Sequence, residues 1–293
     1  IHTLVYNPTI GELYDTVQFL VEADPSSLRL ADENNSFPLH LACTNKNTNS
    51  KIVRVLLDCW PESTRQRDNC GKFPIHNLCK NRDLDETASL DILELLVEMD
   101  PQSVTKTNED GYLPLHYAAG EKSPEFCKLL VDSYPESLRI ESTDGYLPIH
   151  QACAMGRVDT VKCLLELYPE SIGMRASNGY LPIHLAVKWG GKEKVKIIRF
   201  LLLQDPDGAS KATTESRDLP LHLICDCYNL DHNVVQLLFD AHPVAICTNN
   251  RNGNAPLEII REWARRNSDN SKVISENFLE TQMTYARKAQ DII

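Results

Sequence analysis

Apolar residues recur along the chain in two alternating kinds of stretch. One is short and follows a proline directly, as in Pro148-Ile149-His150-Gln151-Ala152-Cys153, where Ile149, Ala152 and Cys153 share one helical face. The other is longer and carries Val161, Leu164, Leu165 and Tyr168 at spacings of three and four, the period of an amphipathic helix. Proline is tolerated in the first helical turn, where its missing N–H has no partner to lose. The pattern therefore predicts a first helix over Pro148–Met155, ended by Gly156, and a second over Val158–Leu167. Pro169 stops the second helix, because the residue before a proline is disfavoured in the helical region. A polar connector with the tight-turn pair Asn178-Gly179 leads to the next proline.

The same unit returns along the chain. Pro-Leu/Ile-His occurs at Pro38, Pro74, Pro114, Pro148, Pro182 and Pro220, with a degenerate copy at Pro256-Leu257-Glu258. A second proline series, Pro25, Pro61, Pro101, Pro135, Pro169, Pro206 and Pro243, interleaves with it. From the second series to the next Pro-Leu/Ile-His the distances are 13, 13, 13, 13, 13, 14 and 13 residues. In the other half of the unit they are 23, 27, 21, 21, 24 and 23. A segment that must align with its neighbours in a stack keeps its length, whereas a free-edge loop absorbs insertions. The near-constant half is thus read as a stacked connector, and Thr44–Lys51, Lys80–Leu90 and Trp189–Lys194 as loops between paired helices. Three residues before the helix proline stands Gly71, Gly111, Gly145, Gly179 or Gly253, as a left-handed turn requires, with Asn35 and Arg217 as exceptions.

These motifs resemble the ankyrin repeat, whose pattern is Gly-x-Thr-Pro-Leu-His-x-Ala-Ala followed by a helix ending in Leu-Leu. The resemblance covers about seven units, from around Ile10 to Leu279. It implies a mainly α fold: a solenoid of stacked helix-turn-helix units joined by hairpin-like turns. The Trp, Leu-Gly and Tyr positions of tetratricopeptide arrays are missing. The expected organisation is an N-terminal capping repeat over 1–31, then six repeats over 32–249 (about 32–67, 68–107, 108–141, 142–175, 176–213 and 214–249). A C-terminal capping repeat over 250–293 ends the chain, with a helix to Arg266, a turn at Asn267–Asn270 and a long last helix from Ser271 to about Lys288. Its Arg261, Arg265, Arg266, Arg287 and Lys288 suit a polar cap or a basic partner-binding helix. The sequence departs from the family in two ways. The Thr before Pro is Phe37, Phe73, Leu113, Leu147, Leu181, Leu219 or Ala255, so the motif His must find a backbone partner. The usual Gly-Ala-Asp is replaced by segments such as Pro135-Glu136-Ser137 and Pro169-Glu170-Ser171.

Composition narrows function. The 293 residues carry 30 Lys+Arg against 41 Asp+Glu, a net charge of −11, which disfavours a phosphate-binding role. No apolar run reaches the roughly 18–20 residues that cross a bilayer. Ten cysteines without short, dense spacing fit a reducing compartment, and the expectation is a cytoplasmic chain, with the nucleus as an alternative. The first residue is Ile1 rather than Met, which reads as a trimmed chain or fragment and leaves an upstream targeting segment open.

Candidate chemistry is sparse. Six of nine histidines are the motif ones, His40, His76, His116, His150, His184 and His222, and repetition at one position reads as backbone bonding at a helix start rather than catalysis. Cys43, Cys79, Cys153 and Cys225 also share one repeat position, as small buried hydrophobes do. His222, Cys225, Cys227 and His232 have spacing too short for the common zinc pattern. No nucleotide loop, His-Glu-x-x-His, Gly-x-Ser-x-Gly or calcium loop occurs. The expectation is no enzyme, no cofactor and no metal.

What remains is surface. Tyr112, Tyr146 and Tyr180 stand two residues before three consecutive helix prolines and are expected to line up at about 10 Å per repeat. Tyr117, Gln151, Met155, Lys188 and Trp189 join them at neighbouring repeat positions. Tyr, Trp and Met are enriched in interface cores, and Tyr and Trp among hot spots. By the resemblance, the concave side binds partners. The expected function is a monomeric, non-catalytic scaffold or adaptor for another protein, with no nucleic acid and no membrane insertion. The alternatives are a regulatory or targeting arm of a larger enzyme, channel or ligase subunit, and tyrosines that merely complete the repeat consensus.

Overall fold

The computed structural model describes residues 13–226, 231–256, 258, 259 and 284. Among them are thirteen α-helices and seven 3-10 turns, with no strand. The helices are α1 (Leu13–Ala23), α2 (Pro38–Thr44), α3 (Ser50–Cys59), α4 (Pro74–Lys80), α5 (Glu86–Met99), α6 (Pro114–Glu121) and α7 (Pro124–Ser133). They continue as α8 (Pro148–Met155), α9 (Val158–Leu167), α10 (Pro182–Trp189), α11 (Lys194–Gln204), α12 (Pro220–Cys225) and α13 (His232–Ala241). The fold is an α-helical repeat solenoid, and the boundaries expected for α8 and α9 match residue for residue. The expected C-terminal elements beyond Pro256 lie outside the described residues, apart from Glu258, Ile259 and Thr284.

The chain divides into two compact units, one up to Ala152 with Asp159–Tyr168, the other Cys153–Val158 with the residues from Pro169 onward. In the first unit the short helices α2, α4 and α6 stack in sequence order, and the longer α1, α3 and α5 stack behind them. Each layer seals its neighbour's apolar face with Leu39, Ile52, Leu56, Ile75, Leu78, Ile92, Leu96, Leu115 and Phe126, all fully buried. In the second unit α10 packs on α11 and α12, and α13 packs on both α11 and α12. Cys43, Cys79, Cys153 and Cys225 are buried at their shared position, and none of the nine described cysteines is in a disulfide. The apolar residues that replace the family Thr are buried as well, except the partly exposed Phe37.

The second proline series does more than stop a helix. Each member opens a 3-10 turn, from Pro25–Arg29 to Pro243–Cys247. The residue before the proline is extended, as at Trp60 (φ −149°, ψ 80°) and Tyr134 (φ −150°, ψ 82°). Its carbonyl then faces the amide three residues on, and Ser63 N–H and Oγ–H both donate to the Trp60 carbonyl, at 3.1 and 2.6 Å. The position two after the proline is a small residue in every copy: Ser63, Ser103, Ser137, Ser171, Gly208 and Ala245 are buried there and Ser27 is partly exposed.

The connector closes as a turn with a double lock. The Asp68 amide donates to the Lys72 carbonyl at 2.9 Å, and the Lys72 amide donates back to Asp68 Oδ1 at 2.9 Å. Asp32, Asn108, Ser142, Thr213 and Asn250 repeat the arrangement with their own side-chain oxygens. Ala176 has no such oxygen, and Asn178 Oδ1 takes the Tyr180 amide instead. Successive tips are joined by single backbone bonds, Asn69 N–H to the Asn34 carbonyl (2.9 Å), Thr143 to Asp110 (3.0 Å) and Arg251 to Ser216 (2.8 Å). The connector is stacked, which is why its length holds. The one 14-residue copy widens the turn by a residue, since Thr213 pairs with Asp218, five rather than four positions on.

The expected loops are shorter than their variable stretches. Ser50 and Lys51 already belong to α3, capped by Asn49, and Glu86–Leu90 belong to α5, capped by Asp85. A local capping oxygen starts each of these two helices inside the stretch that varies in length, whereas α11 begins without a side-chain cap. In the first unit these loops are laced by Lys122, 2% exposed, whose Nζ donates to the Asn81 carbonyl and to Ser89 Oγ. Asn81 Nδ2 in turn donates to the Cys43 carbonyl at 3.0 Å, and burial holds the Lys122 ammonium below its usual pKa.

Gly71, Gly111, Gly145, Gly179 and Gly253 all have φ between 69° and 79°. Asn35 (56°) and Arg217 (55°) occupy the same left-handed region. A Cβ on Gly179 would lie 1.9 Å from Thr214 Oγ1 and 2.5 Å from its backbone nitrogen, whereas one on Gly253 meets nothing within 4 Å. Gly253→Ala should therefore cost only the backbone strain of about 1–2 kcal/mol, and Gly179→Ala more than about 3 kcal/mol. Arg217→Gly removes that strain against the entropy of a freer unfolded chain, for a net gain of about 0.5 kcal/mol. Chemical denaturation of the three variants checks the order.

Candidate functional site

The motif histidines start every short helix. His116 Nδ1 accepts the Leu113 amide at 3.0 Å, and its Nε2 lies 2.9 Å from the Tyr146 carbonyl of the following unit. His40 pairs in the same way with the Phe37 amide and the Lys72 carbonyl, and His76 with Phe73 and Tyr112. In the second unit His184 takes Leu181 and Lys211, and His222 takes Leu219 and Asn254. His150 Nδ1 accepts from the Leu147 amide. An amide donor on Nδ1 and a carbonyl on Nε2 require the neutral tautomer with hydrogen on Nε2. Burial pushes His76, His116 and His184 down to about 4, and His40 and His222 down as well. In the degenerate copy Glu258 Oε2 accepts the Ala255 amide at 3.1 Å, so the carboxylate takes over the helix-start bond.

The imidazoles therefore bond backbone and present no lone pair to a substrate or metal. Both His222 nitrogens are engaged, so it is not a zinc ligand in this geometry, and Cys227 of the weak zinc candidate lies outside the described residues. Among the described residues no cluster of His, Cys, Asp and Glu could hold a metal ion.

The surface residues gather within each unit. In the first, the Tyr112 ring packs 5.2 Å from His116 and 5.6 Å from Tyr117. Gln151 Nε2 donates to the Tyr112 hydroxyl at 3.0 Å, and Tyr146 lies over His150. Burial pushes the Tyr117 phenol up to about 12 and also raises Tyr112, so both stay neutral. Two members of this cluster escaped sequence reasoning. Asn108 is buried, accepts the Tyr112 amide and donates to the Tyr117 hydroxyl at 3.1 Å. Lys72, at the repeat position of the tyrosines, sets its ammonium over the Tyr117 ring at 5.9 Å. The signal for Asn108 was an Asp, Asn or Ser four residues before the tyrosine position in most copies.

In the second unit Tyr180 stacks on His184, with ring centroids 5.9 Å apart. Lys188 Nζ donates to the Tyr180 hydroxyl at 3.1 Å and lies 4.6 Å from the Trp189 ring centroid. Trp189 is 50% exposed and Met155 53%. The tyrosines thus have a packing duty, each covering its own histidine, while Met155 and Trp189 project. Glu121, beside Tyr112 in repeat position, is tied to Arg82 at 3.0 Å.

The fold, the repeated turn and the histidine bond together define a helical-repeat binding module. The family profile described as ankyrin repeats (3 copies) matches residues 49–139 and 134–214, and the chain belongs to the ankyrin-repeat family. Among solved structures it is similar to the ankyrin repeat domain of Bcl-3, described as a unique member of the IκB protein family. The identity is 21% and the TM-score 0.53, over 81% of this chain and 96% of that one, a likeness of fold. No curated protein sequence matches. No helix among the described residues is long and apolar enough to cross a membrane.

The histidine bonds carry a pH signature. An unfolded imidazole titrates near 6.5, and the folded ones lie lower. The unfolded chain therefore binds more protons in between, and stability rises with pH there. The contribution is complete above pH of about 6.5 and is lost as the pH falls toward about 4, by up to about 1.4 kcal/mol per pH unit for each histidine. Melting temperature should fall steeply through that window. His116→Ala strands the buried Leu113 amide, costs about 2–3 kcal/mol at pH 7 and flattens the profile.

Proposed function

We propose that this chain is a non-catalytic scaffold or adaptor that binds another protein through its turn tips and the open face of its short helices. The observation that carries the reading is the contrast between the histidines, bound to backbone, and Trp189 and Met155, which leave about half of their surface exposed. Tryptophan and methionine are enriched in interface cores, and tryptophan among their hot spots, which supports this reading. Cysteines used as small buried hydrophobes, Cys43, Cys79, Cys153 and Cys225, are consistent with the cytoplasmic setting we propose, and we take the chain to act as a monomer.

Tyrosine replacement alone is a blunt test, because each ring covers a motif histidine. Trp189→Ala with Met155→Ala is cleaner. Affinity capture with the wild-type chain as bait should yield a partner that the double variant retains at least about tenfold less, each anchor contributing on the order of 1–2 kcal/mol. Its melting temperature should stay within about 2 °C of wild type. Equal retention by both proteins contradicts the proposed face.

A further inference from the structure

The stretch from the end of α10 into α11 departs from the charge of the rest of the chain. Lys188–Arg199 holds five cations, Lys188, Lys192, Lys194, Lys196 and Arg199, against the single carboxylate of Glu193, in a protein of net charge −11. Glu193 is already committed: it binds Lys196 Nζ at 2.8 Å and accepts the Val158 amide at 2.8 Å. Lys188 has no described carboxylate within ion-pair distance, and neither do Lys192 and Lys194. The Lys188 ammonium instead rests 5.1 Å from the Tyr180 ring centroid and 4.6 Å from that of Trp189, with one N–H given to the Tyr180 hydroxyl. Two of its three N–H donors remain for a ligand. Aromatic faces hold the cation in place without neutralising it. Trp189 offers apolar surface beside it, and the half-exposed Met155 belongs to the segment that passes Gly191, a Cβ on which would lie 3.6 Å from the Met155 carbonyl.

We infer that the Tyr180–Lys188–Trp189 cluster recognises a short acidic peptide segment of a partner protein, with a carboxylate on Lys188 and an adjoining apolar side chain against Trp189 and Met155. The inference rests on the protein-binding reading above and names the chemistry of the partner at that face. Charge complementarity selects a carboxylate, and exposed aromatic and thioether surface selects an apolar neighbour. The extent of the site argues for a short motif over a polyanion. In the next repeat the position of Lys188 is the exposed Asp226, and that of Tyr180 is Asp218, whose carboxylate takes Asn250 Nδ2 at 2.8 Å. A negative chain whose cations end at an aspartate is a poor surface for a continuous phosphate backbone.

The test is selection of displayed random dodecapeptides on the wild-type chain, followed by fluorescence titration of synthetic versions of the enriched peptides. Peptides with Asp or Glu next to aromatic or aliphatic residues should dominate. They should bind about tenfold more weakly to Lys188→Gln and to Trp189→Ala, and weaken as salt rises. Lys72→Gln, a cation over an aromatic ring in the other unit, should leave them unchanged. Neutral or basic consensus peptides overturn the inference, as do acidic peptides held equally by Lys188→Gln. Tighter binding of a poly-dT oligonucleotide or of phosphatidylserine vesicles than of any peptide overturns it too. If no peptide is enriched while partner capture still depends on Trp189 and Met155, the acidic-motif inference falls and the protein-binding reading stands; if both fail, both fall.

Discussion

One hydrogen-bonded imidazole per unit holds the architecture to its register. A helix that begins with an apolar residue and a proline has no side-chain oxygen at its start. The histidine three positions on supplies the missing acceptor through Nδ1 and uses the opposite nitrogen to reach the next unit's turn. Except at His184, which reaches Lys211, nine before its next helix proline, that second bond lands on the carbonyl of the residue two before the next helix proline: Lys72, Tyr112, Tyr146 or Asn254 for His40, His76, His116 and His222. The same residue closes its own turn through backbone and, in most copies, side-chain bonds. Helix start, turn and neighbour are thus coupled through each buried imidazole.

This coupling explains which parts of the unit vary. The segment between the 3-10 proline and the helix proline carries the turn, the left-handed glycine and the landing site of the imidazole, so an inserted residue would misplace all three. The single copy that tolerates one, Thr213–Asp218, widens its turn, holds Arg217 left-handed in place of glycine, and receives the His184 imidazole at Lys211 instead. The helix-to-helix loops have no bond repeated from copy to copy, only individual ones such as those of Lys122, and some of them start the second helix from a local capping oxygen, such as Asn49, Asp85 or Ser123. The residues proposed to face a partner sit at the ends of this fixed frame. Trp189 ends α10 just before Gly190, and Lys188 is held in place by Tyr180.

Much of this was legible in the residue order. Proline and glycine act locally, so the helix starts, the second-helix stops and the left-handed positions, including Asn35 and Arg217, could be read from spacing alone. The backbone role of the histidines followed from their repetition. What escaped depends on bonds between distant residues or on small differences in local geometry. The 3-10 turns need the carbonyl before the proline to meet the amide three residues on, which no hydrophobic period reveals. Asn108 and Lys72 enter the tyrosine cluster because adjacent turns stack, and the packing of each tyrosine on its own histidine is a matter of ring direction rather than of sequence interval.

The central claim is that the histidines are neutral structural clamps, and the most direct measurement is the tautomer of each imidazole by long-range proton–nitrogen correlation NMR at pH 6. His40, His76, His116, His184 and His222 should all carry hydrogen on Nε2 alone, with Nε2–H signals that persist against exchange with water. Imidazoles that are protonated on both nitrogens at that pH, or that carry hydrogen on Nδ1, would contradict the account.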